Sequence, residues 1–143
     1  LAIAENIFEM AGLRTPILGI VVGEGCSGGA LGVGVVDRLG MMENAYFSVI
    51  SPEGCAAILW KDRDKAPEAA RALCLTAPHM QQQGIADTII EEPLGGAHRD
   101  PDAAASRLRN YLVQTLDELS DRPIEKLMEH RYDRYRAMGV YES

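Results

Sequence analysis

The chain predicts an α/β fold, and three features carry that expectation. Short apolar runs of strand character, Ile17–Val22, Leu39–Met42, Tyr46–Ile50 and Ile85–Ile90, alternate with segments of helical periodicity. Ser51-Pro52 and Asp100-Pro101 each place a capping side chain directly before a proline, the usual signature of a helix start. A glycine-dense turn, GEGCSGG over 23–29, joins the first strand to a helix of small residues.

The elements follow in order. LAIAENIFEMAG carries apolar residues at Leu1, Ala4, Ile7, Phe8 and Ala11, a helical spacing that Gly12 stops. Because that pattern is already under way at Leu1 and no Met precedes it, the 143 residues are expected to be a segment of a longer chain. Thr15-Pro16 turns the chain into the strand Ile17–Val22, and after the glycine turn a helix is expected from about Ser27 to Val36. Its glycines and alanines imply close packing. Leu39–Met42 and Tyr46–Ile50 read as two strands, and Ser51 caps a helix that begins at Pro52 and carries Ala56, Ala57, Ile58, Leu59 and Trp60.

Lys65–Leu75 and Pro78–Gln83 read as helices, and Ile85–Ile90 as a strand. EEPLGGAHRDP is a loop, since Pro93, Gly95 and Gly96 exclude regular structure. Asp100-Pro101 opens a long amphipathic helix with Leu108, Tyr111, Leu112, Thr115, Leu116 and Leu119 on one face. A last helix runs from Pro123 to about Met138. No internal repeat or linker is visible, so the expectation is one α/β domain with a helical C-terminal extension.

Composition narrows the function classes. At 47% hydrophobic and 24% charged residues the chain can build a core and is not a disordered segment. A formal charge of -7 and a pI near 4.9 oppose a nucleic-acid surface. The locally basic end, Arg131, Arg134 and Arg136 among Tyr132, Tyr135 and Tyr141, is interleaved with Glu125, Glu129, Asp133 and Glu142, and reads as a solvated helix face or a partner contact. Cys26, Cys55 and Cys74 are odd in number and lack C-x-x-C spacing, so reduced cytoplasmic thiols are expected rather than disulfides or a metal site. No apolar run approaches the roughly 20 residues of a membrane span.

The glycine turn satisfies two motifs at once. Gly23, Gly25 and Gly28 spell the dinucleotide fingerprint, with Glu43 after the next strand where a ribose-binding acid would lie. Against it, the following helix is short and the fingerprint normally opens its domain. Gly25, Ser27 and Gly29 spell a nucleophile elbow, and Asp87 and His98 follow in the order of a serine hydrolase. Yet Asp87 falls inside an expected strand, and a histidine in a glycine loop commonly hydrogen-bonds the loop itself. A third reading needs no side chain: the amides of Gly28, Gly29 and Ala30, at a helix N-terminus, form an oxyanion hole.

GEGCSGGALGVG, YFSVISPEGCAAILWKD, KAPEAA and IIEEPLGGAHRDP resemble, in order and spacing, the carboxyltransferase α subunit family of bacterial acetyl-CoA carboxylase. The resemblance implies a crotonase-like ββα superhelix over about 1–99 and a helical extension over about 100–143, together the C-terminal part of a carboxyltransferase domain. It implies transfer of the carboxyl group from carboxybiotin to acetyl-CoA, giving malonyl-CoA at the start of fatty acid synthesis. The biotin would ride on the biotin carboxyl carrier protein, loaded by biotin carboxylase. A carboxyltransferase β subunit would complete an α2β2 assembly, holding the CoA side and the family's zinc ribbon, with no metal in this chain.

On that resemblance, Gly28 and Gly29 supply the oxyanion amides beside Ala30, and Gly25, Ser27, Ser51, Pro52, Glu53 and Gly54 lie on the biotin side. Cys26 departs from the expected glycine and reads as a small packed residue. Ser51 and Pro52 also have a simple capping role, and the loop with Gly95, Gly96, His98 and Arg99 either meets a partner or caps the next helix. Tyr132 and Tyr135 are expected to pack on the β subunit. Another crotonase-like acyl-CoA enzyme, or a non-catalytic subunit-interaction piece, remains as an alternative.

Overall fold

The computed structural model describes residues 2–139, so the expectations placed on Leu1, Tyr141 and Glu142 lie outside the described residues. Helix α1 (Ala2–Ala11) precedes β1 (Leu18–Val21), β2 (Glu24–Cys26) and α2 (Ser27–Gly34). Then come β3 (Arg38–Met42), β4 (Tyr46–Ser48) and α3 (Pro52–Leu59). The same step, two strands and a helix, is thus taken twice. No sequence repeat announces it, because the two turns share geometry and not residues.

Each pairing between the named strands is parallel, and Tyr46 adds an isolated antiparallel bridge to Thr76. β1, β3 and β5 (Thr88–Ile90) form one sheet in that order, and β2 pairs with β4 in a second. Successive turns therefore add one strand to each sheet, which is the geometry of a ββα superhelix. Between β4 and β5 the chain makes α3, a 3-10 turn at Arg63–Lys65, α4 (Ala66–Leu73) and α5 (Ala77–Gln82). Two long helices close the described chain, α6 (Pro101–Ser120) and α7 (Ile124–Ala137).

The predicted capping chemistry is present. Ser51 Oγ accepts from Gly54 N at 3.1 Å, and Asp100 Oδ1 accepts from Ala103 N at 3.0 Å. The main core gathers Val21, Val36, Leu39, Met41, Met42 and Ile90 from the larger sheet with Met80 and Ala104 from the helices. On α6 the buried positions are Ala104, Thr115 and Leu119, whereas Leu116 is 47% exposed. The apolar face is thus rotated slightly from the one the sequence predicts.

Three expectations are corrected. The glycine turn is not irregular throughout: Glu24–Cys26 is a strand, because its backbone pairs with Tyr46–Ser48. Strand β5 begins only at Thr88, since Asp87 has turned its carboxylate onto the Leu39 amide at 2.7 Å. The basic end is not solvated throughout: Tyr132, Asp133 and Arg136 are exposed, but one face turns inward. Arg131 is 2% exposed, and its guanidinium donates to Asp37 and to the carbonyls of Leu13 and Thr15.

Helix α7 is fastened by residues three and four apart, which share one helix face. Arg131 grips Asp37 at the start of β3, and Arg134 Nη1 lies 2.8 Å from Asp87 Oδ1 before β5. Tyr135 donates its hydroxyl hydrogen to Gly34 O at 2.6 Å and accepts from Val36 N at 2.7 Å. The Tyr135 hydroxyl is therefore committed within the chain, while Tyr132 is 67% exposed.

Candidate functional site

The parallel pairing of β2 with β4 decides what meets what. Cys26 is in register with Ser48, so α2 and α3 both leave the same end of that small sheet. Two helix N-termini, each with a partial positive charge of about half a unit, thereby come to one edge. They differ in a telling way: α3 is capped by Ser51, whereas Cys26 before α2 contributes no side-chain cap.

Helical geometry commits the Ala30 N–H to the Cys26 carbonyl in the first turn, and Ala30 itself is 1% exposed. The preceding amides, those of Gly28 and Gly29, have no acceptor within the helix. A Cβ built at Gly29 would find nothing within 4 Å, so the space on that side of the backbone is open. At Gly28 a Cβ would stand 3.1 Å from Ile3 Cδ1, the flexible tip of a side chain on α1. Gly25 is a different case: Phe47 and Val21 would each lie 3.0 Å away, so only glycine fits between the strands.

A groove of about 360 Å³ borders this helix start, lined by Val22, Gly23, Gly25, Cys26, Gly29 and Ala30 among others. Ser27, the first residue of α2, has φ +60, left-handed backbone that costs a non-glycine residue on the order of 1 kcal/mol. The chain tolerates that strain where it turns from strand to helix. Across the strand pair, the Tyr46 phenol is pushed up from its ordinary value by burial first, then by the charge of Glu24, with Cys26 and Glu53 adding to it. Glu53 therefore acts electrostatically on the strand that borders the turn, although neither it nor Ser51, Pro52 or Gly54 lines the groove.

The residues required by the competing motifs are engaged elsewhere. Asp87 receives the Leu39 amide and the Arg134 guanidinium, the bonds of a structural carboxylate. Glu43 Oε2 accepts from Glu92 N at 3.0 Å, which fastens the ends of β3 and β5 together. His98 sits in the glycine loop as expected, but the organiser of that loop is Glu92. Its carboxylate accepts from Asn44 N at 3.0 Å and from Ala97 N at 2.7 Å.

Burial works to raise the Glu92 carboxyl, but the Asn44 and Ala97 amides, the Asn44 side chain and His98 outweigh it and hold it below the usual range. Gly95 and Gly96, at φ +89 and +102, take the backbone shapes that let the loop close on that carboxylate. The sequence reading missed Glu92, whose only signal was a carboxylate three residues before a glycine pair. Among the described residues, no group of three or more His, Cys, Asp or Glu is gathered to hold a metal ion. No helix there is long and apolar enough to cross a membrane.

Comparison with known proteins agrees with this geometry. Residues 1–139 match the family model described as acetyl co-enzyme A carboxylase carboxyltransferase-like. The chain is 51% identical over 139 residues to a Rhodopirellula baltica protein named acetyl-coenzyme A carboxylase carboxyl transferase subunit alpha, covering 97% of this chain and 44% of that one. A protein of the same name from Coxiella burnetii is 55% identical over 138 residues, covering 96% and 44%. The chain thus spans less than half the length of these curated relatives.

Among solved structures, a Pseudomonas malonate decarboxylase hetero-tetramer in complex with coenzyme A aligns with TM-score 0.70 at 17% identity, over 95% of this chain and 55% of that one. Enoyl-CoA hydratase from Thermoplasma volcanium aligns at 0.57 and 13% identity, over 96% and 54%. Transcarboxylase 12S aligns at 0.53 and 21% identity, over 78% and 21%. These likenesses establish the crotonase-like fold, in agreement with the parallel ββα turns described above. Taken with the family match across almost the whole chain, they leave one assignment: the chain belongs to the acetyl-CoA carboxylase carboxyltransferase α subunit family.

Proposed function

We propose that this chain forms the biotin-side half of a carboxyltransferase that moves a carboxyl group from carboxybiotin to acetyl-CoA, yielding malonyl-CoA for fatty acid synthesis. The observation that carries the reading is the uncapped start of α2, where the Gly28 and Gly29 amides lack a helix acceptor, with open space beside Gly29 and the tip of Ile3 beside Gly28. The groove that Gly29 borders is walled by Gly23, Gly25, Cys26 and Ala30 together with Ile20, Val21, Val22 and Val33, and a side chain at Gly29 would project into open space there. Biotin, when bound, supplies the carboxyl group and a ureido oxygen that gains negative charge as the carboxyl departs.

The residues of this chain act by holding that charge. Gly28 and Gly29 N–H groups, fixed by the helix, donate to the oxygen without reorganising. Ala30 packs beneath them, and the small Cys26 leaves the entrance open. Loss of one such donor costs on the order of 3 kcal/mol in the barrier. Gly25 lines the groove and Ser27 opens the helix, while the Ser51–Gly54 segment stands outside the groove lining, with Glu53 contributing charge rather than a proton-transfer group.

The partners follow from the chemistry: a β subunit for the CoA side in an α2β2 assembly, the biotin carboxyl carrier protein for delivery, and biotin carboxylase for reloading, all in the cytoplasm. The test is acetyl-CoA release from malonyl-CoA and biocytin by the family-length parent of this chain, with and without a β subunit. Activity is expected only with both, and Gly29→Val is expected to lower it about a hundredfold or more with an unchanged circular dichroism spectrum. Full activity in that variant, or ester hydrolysis by this chain alone, overturns the proposal.

A further inference from the structure

Helix α2 carries the proposed oxyanion amides, yet its own sequence does little to hold it. Four of its eight residues, Gly28, Gly29, Gly32 and Gly34, are glycine, the poorest helix former after proline. Cys26 before it offers no side-chain cap. Its eight residues span only about 12 Å, so a shift at one end is felt at the other. A helix this short and this weak takes its position from what grips its ends.

Among the described residues, one side chain hydrogen-bonds α2 or the turn that closes it, and that is Tyr135 of α7. Its hydroxyl donates to Gly34 O at 2.6 Å, with Val36 O beside it at 3.1 Å, and accepts from Val36 N at 2.7 Å. The last carbonyls of a helix have no acceptor role within it, so the phenol supplies a donor where the helix has none. The other end of this tether is fixed. One turn back on α7, Arg131 forms its two-pronged pair with Asp37 at the start of β3, and the neighbouring Arg134 pairs with Asp87 before β5. Tyr135 thus ties α2 to a helix that is itself fastened to the larger sheet.

We infer that Tyr135 is a positioning residue for carboxyl transfer. Its hydroxyl holds the far end of α2, which keeps the Gly28 and Gly29 amides aimed at the oxygen that gains charge. Such donors stabilise a transition state only when they are already in place, and small displacements from a distant change weaken them. Tyr135 touches no reacting group and acts through the helix alone. The inference rests on the carboxyl-transfer reading above.

Tyr135→Phe in the family-length parent, assayed with a β subunit for acetyl-CoA release from malonyl-CoA and biocytin, tests it. The ring stays and the hydroxyl goes. The expected result is kcat lowered roughly tenfold, with KM for biocytin within about twofold of the parent. Ile90→Val controls for lost stability, because Ile90 is buried on β5, at the far edge of the sheet from β1. It is expected to keep the parent kcat. An unchanged kcat in Tyr135→Phe overturns the inference, and so does an equal loss in Ile90→Val, which would make activity follow stability alone. Gly29→Val in the same assay keeps the two conclusions apart. Full activity there sinks the reading on which the inference rests, whereas an inactive Gly29→Val beside a fully active Tyr135→Phe overturns the inference alone.

Discussion

Arg131 and Asp37 form a two-pronged ion pair in the centre of the protein, Nε to Oδ1 and Nη2 to Oδ2 both at 2.8 Å, with side chains 2% and 0% exposed. The remaining guanidinium hydrogens reach the carbonyls of Leu13 and Thr15, and Asp37 Oδ2 also takes the Ile17 amide at 2.7 Å. One residue of α7 thereby fastens the end of α1, the entry to β1 and the start of β3. Removing one member leaves the other charged, buried and alone. Arg131→Ala is expected to destabilise the protein by about 3–5 kcal/mol, measured by urea unfolding, and Arg131→Lys by a substantial fraction of that because an ammonium lacks the fork.

Tyr135→Phe removes one oxygen and leaves two part-buried backbone groups, the Val36 amide and the Gly34 carbonyl, with only their mutual hydrogen bond at 3.0 Å. The expected cost is about 1–3 kcal/mol. A loss confined to affinity for a β subunit, with unfolding unchanged, would return Tyr135 to the role of a partner contact.

Ser27→Gly separates two chemistries at one position. Glycine accepts φ +60 without strain, offset in part by its greater freedom in the unfolded chain, so stability is expected to stay within about 1 kcal/mol of the parent. Carboxyl transfer is expected to persist, because the amides at Gly28 and Gly29 are unchanged. A nucleophilic Ser27 would instead lose activity by several orders of magnitude.

The Glu92 loop is expected to be acid-sensitive. Its carboxyl is held below the usual range in the folded protein, so the unfolded chain takes up the proton first as pH falls. The stabilisation is therefore complete above the ordinary carboxylate pKa of about 4.3 and is lost as pH falls through the lower folded value. Amide exchange at Ala97 and Asn44, whose N–H groups the carboxylate accepts, should accelerate across that window. Glu92→Gln should exchange faster at neutral pH and respond less to acid.

The sequence by itself determined the local structure and the family. Pro52 and Pro101 with their capping residues, the apolar runs and the glycine turn each act through neighbours a few residues away, so their elements appear where the spacing predicts. The Gly28–Gly29 start of α2 was equally legible, because an uncapped helix turn is a local object. Tertiary structure alone decided what those elements enclose. Pairing with Tyr46–Ser48 turned part of the glycine run into a strand, and Asp37, 94 residues from Arg131, made an apparently solvated arginine a fully buried cation. Such choices depend on desolvation and on partners remote in sequence, and periodicity along the chain carries no record of either.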